Sequence, residues 1–241
     1  MTKPLCVELF CGMFGWGEGF VSEGYRVVGF DIEHLPHHGS VPSGCSLALQ
    51  DVLTLHGSQF KDAAIIVASP PCQAYSYRAM PWKRAKALPP PSNELFDACF
   101  RIQREACEAA GRYIPLVVEN VKGAQPWVGR AKCHYGSFYL WGDVPALMPL
   151  GTAIKNSKGG SWFGINNFGN VQERNDPRDV RRVGDGQYGV KQRGSGAVWF
   201  DIGIAACSSR SSARKAASAA IAKIPFELAS HIARVYKPDG A

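Results

Sequence analysis

No Cys-x-x-Cys pair occurs anywhere in the chain, although it carries eight cysteines, at positions 6, 11, 45, 72, 99, 107, 133 and 207. That absence argues against a zinc ribbon and a thioredoxin-like dithiol. Also missing are an apolar run long enough to span a bilayer and the charged, apolar and small-residue regions of a secretory signal. The expectation is a cytoplasmic protein with reduced thiols and no membrane partner. There is no internal repeat and no long low-complexity tract. Acidic residues are the minority, 20 against 27 Lys and Arg, which gives a net charge of +7. Such basicity favours a polyanionic partner, although many soluble proteins are as basic without one. With 241 residues, 46% of them hydrophobic, the chain can fill the core of one sizeable domain. His34, His37 and His38 cluster without a second ligand set and read as a loop, so no metal is expected.

The first half alternates short apolar runs with helix-like stretches. Leu5–Phe10, Tyr25–Phe30, Ala63–Ala68 and Leu116–Val118 read as buried strands. Asn93 to Arg112 has near-helical spacing, with Ser92 or Asn93 as N-cap and Gly111 as stop. Strands alternating with helices imply an α/β sheet built from crossovers. Residues 1–150 are taken as a catalytic and cofactor-binding core. From 151 to 210 the chain is mostly rich in Gly, Asn, Asp and Arg, the mark of a small irregular or β-rich region. A helical stripe returns over 211–241, broken by Pro225.

Phe10-Cys11-Gly12-Met13-Phe14-Gly15 follows the first strand and should open a helix, an arrangement common at nucleotide sites but weak evidence alone. Asp31 closes the second strand about 20 residues on, where such sites place an acid for ribose hydroxyls. Asp51, followed by Val52 near the end of a further strand, offers an acceptor for an adenine amino group. Ser69-Pro70-Pro71-Cys72-Gln73 follows the third strand directly. A lone cysteine is usually a small core hydrophobe, but a polar, proline-bounded loop suits an exposed nucleophile. Glu119 and Asn120 end the fourth strand, and in a parallel sheet their loop emerges at the same edge as Cys72. An acid there can share a proton with a heterocycle nitrogen.

These residues resemble the motifs of the cytosine-5 DNA methyltransferase family. Glu8 to Gly15 resembles its first motif, Gly29 to Glu33 the second and Asp51-Val52 the third. Pro71-Cys72-Gln73-Ala74-Tyr75-Ser76 matches the nucleophile motif, Leu95-Phe96 a short helix-opening motif, and Glu119-Asn120-Val121 the Glu-Asn-Val motif. The ordered set spans roughly residues 5 to 123, about half of the chain. The resemblance implies a Rossmann-like S-adenosylmethionine-dependent methyltransferase sheet with helices on both faces, plus a reduced recognition region. It implies Cys72 as nucleophile, Glu119 as partner of the base and Asn120 as a holder of the loop. Cofactor contacts would come from Phe10, Gly12, Met13, Phe14, Gly15, Asp31, Ile32, Asp51, Val52, Pro70 and Leu95. Substrate contacts would come from Pro71, Gln73, Ser76, Arg78, Lys83, Arg84 and Arg193. The expected partner is double-stranded DNA bound by a monomer. RNA, in particular tRNA, is the alternative substrate, and a non-catalytic nucleic-acid binder on the same fold is the alternative class.

The chain departs from that family pattern in four places. Phe14 stands where a second glycine is usual, and the Gln-x-Arg-x-Arg motif is replaced by a stretch from Cys133 to Trp141. His134, Arg130 and Arg193 are candidates for the missing arginine. The arginine-bearing motif that supports a recognition domain has no counterpart, and Ala222 to Phe226 replaces the final Gly-Asn-x-Val-Pro. Two acid-free basic sets remain: Arg78, Lys83, Arg84 and Lys86, expected with Tyr75, Tyr77 and Trp82 to close over a base, and Arg210, Arg214, Lys215 and Lys223, expected to face phosphates. Arg174 to Arg193 is the candidate for groove contacts.

Overall fold

The computed structural model describes residues 2–33, 41–78, 83–149 and 222–238. Within them lie Leu5–Leu9 (β1), Arg26–Asp31 (β2), Cys45–Leu49 (β3), Ala63–Ala68 (β4), Leu116–Asn120 (β5), Cys133–Tyr135 (β6) and Phe138–Gly142 (β7). They form one seven-stranded sheet of order β3-β2-β1-β4-β5-β7-β6. The first five are parallel, and β7 turns antiparallel to β5. The chain winds outward from β1 through β2 to β3, then returns to the centre and winds the other way through β4. The carboxyl ends of β1 and β4 therefore bound the switch point, where open α/β sheets bind ligands.

Strand alternation sends apolar side chains to both faces. Val7, Leu9, Ile66, Ala68, Leu116 and Val118 face one side, where α4 (Glu94–Ala110) adds Phe96, Cys99, Ile102 and Ala106. Cys6, Val27, Ile65, Val67, Val117 and Leu140 face the other, covered by α1 (Gly15–Ser22) and by Phe226–Val235. The short helices α2 (Gln73–Arg78), α3 (Lys83–Lys86) and α5 (Gln125–Val128) line the connections, and Phe226–Val235 is α6, the sixth among the described residues. This is the expected α/β Rossmann-like architecture with helices on both faces. No described helix is long and apolar enough to cross a membrane.

Boundaries shift for local reasons. β1 stops at Leu9 because Phe10 turns to φ 58°. Tyr25 lies outside β2, its hydroxyl donating to the Ala233 carbonyl at 3.0 Å. β5 runs two residues further than its apolar core, so Glu119 and Asn120 are strand residues. α4 ends at Gly111, whose φ of 62° suits a residue without a Cβ. α1 contains three glycines in eight residues, each costing up to about 1 kcal/mol of helix propensity. Packing overrides that cost: a Cβ at Gly19 would lie 2.4 Å from Ala229 Cβ, and one at Gly15 would lie 2.5 Å from the Ile224 nitrogen. Gly19 lets α1 and α6 touch, Gly15 admits the Ile224 backbone just before α6, and Trp16 and Phe20 are fully buried.

Candidate active site at the carboxyl edge of the sheet

Leu9 pairs with Phe30 on one side and Ala68 on the other, so Phe10, Asp31 and Ser69 lie side by side at the carboxyl edge. The turn after β1 winds through three left-handed residues, Phe10 at φ 58°, Gly12 at 47° and Phe14 at 56°. Its middle is tied to β2, for the Gly12 N–H donates to Asp31 Oδ2 at 2.9 Å. The other Asp31 oxygen accepts from the Ile32 N–H at 2.8 Å. A carboxylate has about four acceptor positions, so Asp31 retains capacity for a ligand hydroxyl. Nothing lies within 4 Å of where a Gly12 Cβ would be, and Ile32 is 68% exposed beyond Asp31.

Phe14 bears the strain of a left-handed N-cap that a glycine would escape. Its ring fills the space over Gly29, where a Cβ would stand 2.4 Å from Phe14 Cε1. Phe14 is 3% exposed, Gly15 is buried against the Ile224 backbone and Val52 is buried in the core. These three shape the turns rather than line open space. Asp51 is exposed and caps the turn after it by accepting from the Leu53 N–H at 2.9 Å. Phe10 and Met13 are half-buried.

Below the turn, Glu8 is 2% exposed and accepts from the Trp16 and Gly17 N–H groups at 3.2 and 2.9 Å. Burial pushes its pKa up to about 8 despite those two bonds. Burial, then the Glu8 and Asp31 charges, drive the Cys11 thiol well up, and Cys45 is pushed up to about 12 for the first two reasons. Cys6 and Cys99 are likewise raised by burial. Four of the cysteines are thus neutral thiols unsuited to nucleophilic work.

The loop after β4 carries Cys72, the candidate nucleophile. Ser69 is held from two sides, its N–H donating to Leu9 O at 3.2 Å and its Oγ accepting from Trp16 Nε1 at 3.0 Å. Pro70 is buried, Pro71 and Gln73 are exposed, and Cys72 is half-buried with Ser76. The Cys72 carbonyl accepts from the Ser76 N–H at 2.9 Å, so Cys72 opens the first turn of α2. Asn120, 1% exposed, donates from Nδ2 to Pro70 O at 2.9 Å while its Oδ1 accepts from the Val121 N–H. Glu119, one residue earlier, is 7% exposed at the same strand end. The structure therefore couples the Glu119–Asn120 strand end to the Cys72 loop through a buried amide.

Other expectations fare differently. Tyr75 does not close over an open site. It is 3% exposed, and its hydroxyl donates to Asn93 Oδ1 at 3.0 Å. Lys223 does not stand ready for phosphate, because it pairs with Glu18 Oε1 at 2.6 Å. His134 stacks on Tyr139, which pairs with Asn120. Alternation thus puts it on the α4 face, opposite Glu119. Arg130 is exposed in the loop after α5. Arg78 ends α2, and α3 begins at Lys83, which is exposed, followed by Arg84. Leu95 is half-buried in the first turn of α4. Arg193, the rest of 151–210, Arg210, Arg214, Lys215, Trp82 and the His34–His38 cluster lie outside the described residues. A groove of about 430 Å³ opens over Phe96, Phe100 and Trp141. It contains neither Cys72 nor Glu119. Glu8, Trp16 and Asn93 also organise the edge, which their sequence positions do not announce. The only sign of Glu8 was a charge inside an otherwise apolar strand.

The described strands and helices define an α/β Rossmann-like sheet with its candidate site at the carboxyl edge. No protein-family model matches the chain, and no curated protein does. Among solved structures, it is similar to a protein described as a DNA modification methyltransferase encoded within an E. coli prophage, with 20% identity and a TM-score of 0.39. That alignment covers 53% of this chain and 35% of the other. It is also similar to the S. pombe Dnmt2 methyltransferase, with 17% identity, 52% and 36% coverage and a TM-score of 0.36. A Spodoptera frugiperda DNMT2 variant aligns with 18% identity, 52% and 38% coverage and a TM-score of 0.37. The matched part thus spans little more than a third of each neighbour's length.

Proposed function

We propose that the chain transfers a methyl group to carbon 5 of a cytosine in double-stranded DNA through a covalent adduct on Cys72. The observation that carries this reading is the buried Asn120 amide joining the Glu119 strand end to the Pro70 carbonyl, two residues before Cys72. A nucleophile and an acid then share one edge at the switch point, beside a turn whose open Gly12 and Asp31 suit a nucleoside-bearing cofactor. Phe10, Gly12, Met13, Asp31, Ile32 and Asp51 would hold S-adenosylmethionine, with Phe14, Gly15, Val52, Pro70 and Leu95 shaping their support. When bound, S-adenosylmethionine supplies the methyl group that carbon 5 takes up, leaving S-adenosylhomocysteine.

The chain's own residues do the rest. Cys72 as thiolate adds to carbon 6, and Glu119 donates a hydrogen bond at N3, so that electron density moves to carbon 5. After methylation the carbon-5 proton is lost to base, the sulfur–carbon 6 bond breaks and Cys72 departs as thiolate. Pro71, Gln73 and Ser76 border the space the base would enter. Carbon 6 is beyond the reach of a thiol in a stacked duplex, so the base must be extruded. Residues 151–210, Arg193 among them, are assigned to target recognition, and Arg78, Lys83 and Arg84 to phosphate contacts. The reaction needs no membrane and suits a cytoplasmic monomer.

Trapping tests the reading. An oligonucleotide duplex containing 5-fluorocytosine, incubated with S-adenosylmethionine, should give a covalent protein–DNA adduct that Cys72→Ser abolishes. Methyl transfer to tRNA without transfer to DNA would replace DNA by RNA as substrate. No adduct on a randomised duplex pool and no transfer to RNA would leave a binder without catalysis.

A further inference from the structure

We infer that Asn93 is a positioning residue for Cys72, an assignment that rests on the methyltransferase reading and adds a residue outside the motifs that suggested it. Cys72 opens α2, and Tyr75 lies on the same turn, three residues on. Its ring is 3% exposed and its hydroxyl donates to Asn93 Oδ1 at 3.0 Å. Asn93 Nδ2 in turn donates to the Trp127 carbonyl at 2.9 Å. Trp127 belongs to α5, which follows Glu119 and Asn120 after one 3-10 turn, Lys122–Ala124. Two hydrogen bonds therefore connect the turn that carries Cys72 to the segment that leaves the Glu119 strand.

The bridge complements the Asn120 contact. Asn120 grips the loop before Cys72 through Pro70, and Asn93 grips the helix after it through Tyr75. With one hold on each side, Cys72 has little freedom to drift relative to Glu119. The chemistry of residue 93 is specific. It must accept from a hydroxyl and donate to a carbonyl at once, which a side-chain amide does and a carboxylate does not. Asn93 also occupies the N-cap of α4 without a side-chain capping bond, and Ser92 Oγ accepts from the Glu94 N–H instead, at 3.2 Å. The amide is committed to the bridge rather than to its own helix.

The test uses the whole chain with Tyr75→Phe, Asn93→Leu, Asn93→Asp and the Tyr75→Phe/Asn93→Leu double variant. Amide exchange in residues 73–78 should quicken about fivefold in each single variant, with α1 and α6 unchanged. Asn93→Asp should behave like Asn93→Leu even though it keeps the acceptor. In methyl transfer to a DNA duplex, kcat should fall about tenfold while KM for S-adenosylmethionine stays within about twofold. The double variant should be no worse than the weaker single one, since both break one bridge. Unchanged exchange in 73–78, or a rise shared by α1 and α6, overturns the bridge. Exchange that rises without loss of kcat overturns its positioning role. If Asn93→Leu does not fold, Tyr75→Phe alone decides. A wild-type chain that transfers no methyl group and forms no adduct overturns the methyltransferase reading and with it the catalytic assignment, while exchange still decides the bridge.

Discussion

From β1 the Glu8 side chain reaches the start of α1, both carboxyl oxygens on backbone N–H groups, yet burial raises its pKa to about 8 from an ordinary 4.5. A carboxyl that binds its proton more tightly in the folded chain than in the unfolded one stabilises the fold at low pH. That contribution is complete below about pH 4.5 and is lost as the pH rises to about 8. Thermal unfolding should therefore show a midpoint that declines between these values. Glu8→Gln should flatten the decline, because it removes the titrating group while retaining one acceptor; a stability difference between the two proteins that stays constant with pH would contradict the assignment. Glu119→Gln should lower methyl transfer on the order of 10²–10⁴-fold with cofactor affinity retained, measured by single-turnover kinetics and calorimetry. Cys72 and Glu119 could be picked out of the chain as candidates because a polar, proline-bounded cysteine after an apolar strand is unusual, as is an acid ending one. Asn93 could not. Its two partners lie 18 and 34 residues away in sequence, and nothing local marks an asparagine as a bridge rather than a cap.

The two helices that cover one face of the sheet meet across glycine. At Gly19 a methyl group would press on Ala229 and on the Ser230 nitrogen at 2.6 Å, both on α6, so neither neighbour can swing aside as a flexible side chain would. Gly19→Ala should destabilise the protein by about 1–3 kcal/mol, read from urea midpoints, even though alanine is the better helix former. From the sequence Gly12 and Gly15 looked like one ligand turn, and of the two only Gly12 has open space around it. Glycine's two uses, close approach to a ligand and close approach to another helix, leave the same letter in the chain. β1, β2, β4 and β5 were plain in their apolar runs. β6 is three residues long and carries no alternation of its own, so the hairpin with β7 emerges only from pairing.

The charge of the whole chain belongs to the proposed substrate. If +7 is used on DNA, duplex affinity should fall by at least about 10²-fold between 50 and 200 mM salt. Fluorescence anisotropy would show this, and affinity insensitive to salt would speak against phosphate contacts. The α/β core was legible because burial imposes periodicity; a stretch such as 151–210, low in apolar periodicity, gives sequence reasoning little to grip. One more consequence follows from α6 covering α1. The Tyr25 hydroxyl rests on Ala233, 208 residues downstream. At roughly 5–20 residues per second, a ribosome takes on the order of 10–40 s to travel from Tyr25 to Ala233. During that interval the nascent chain displays the Trp16 and Phe20 surface with no α6 to lay over it. Translation order thus makes this face a natural client for a holdase chaperone until α6 has cleared the exit tunnel.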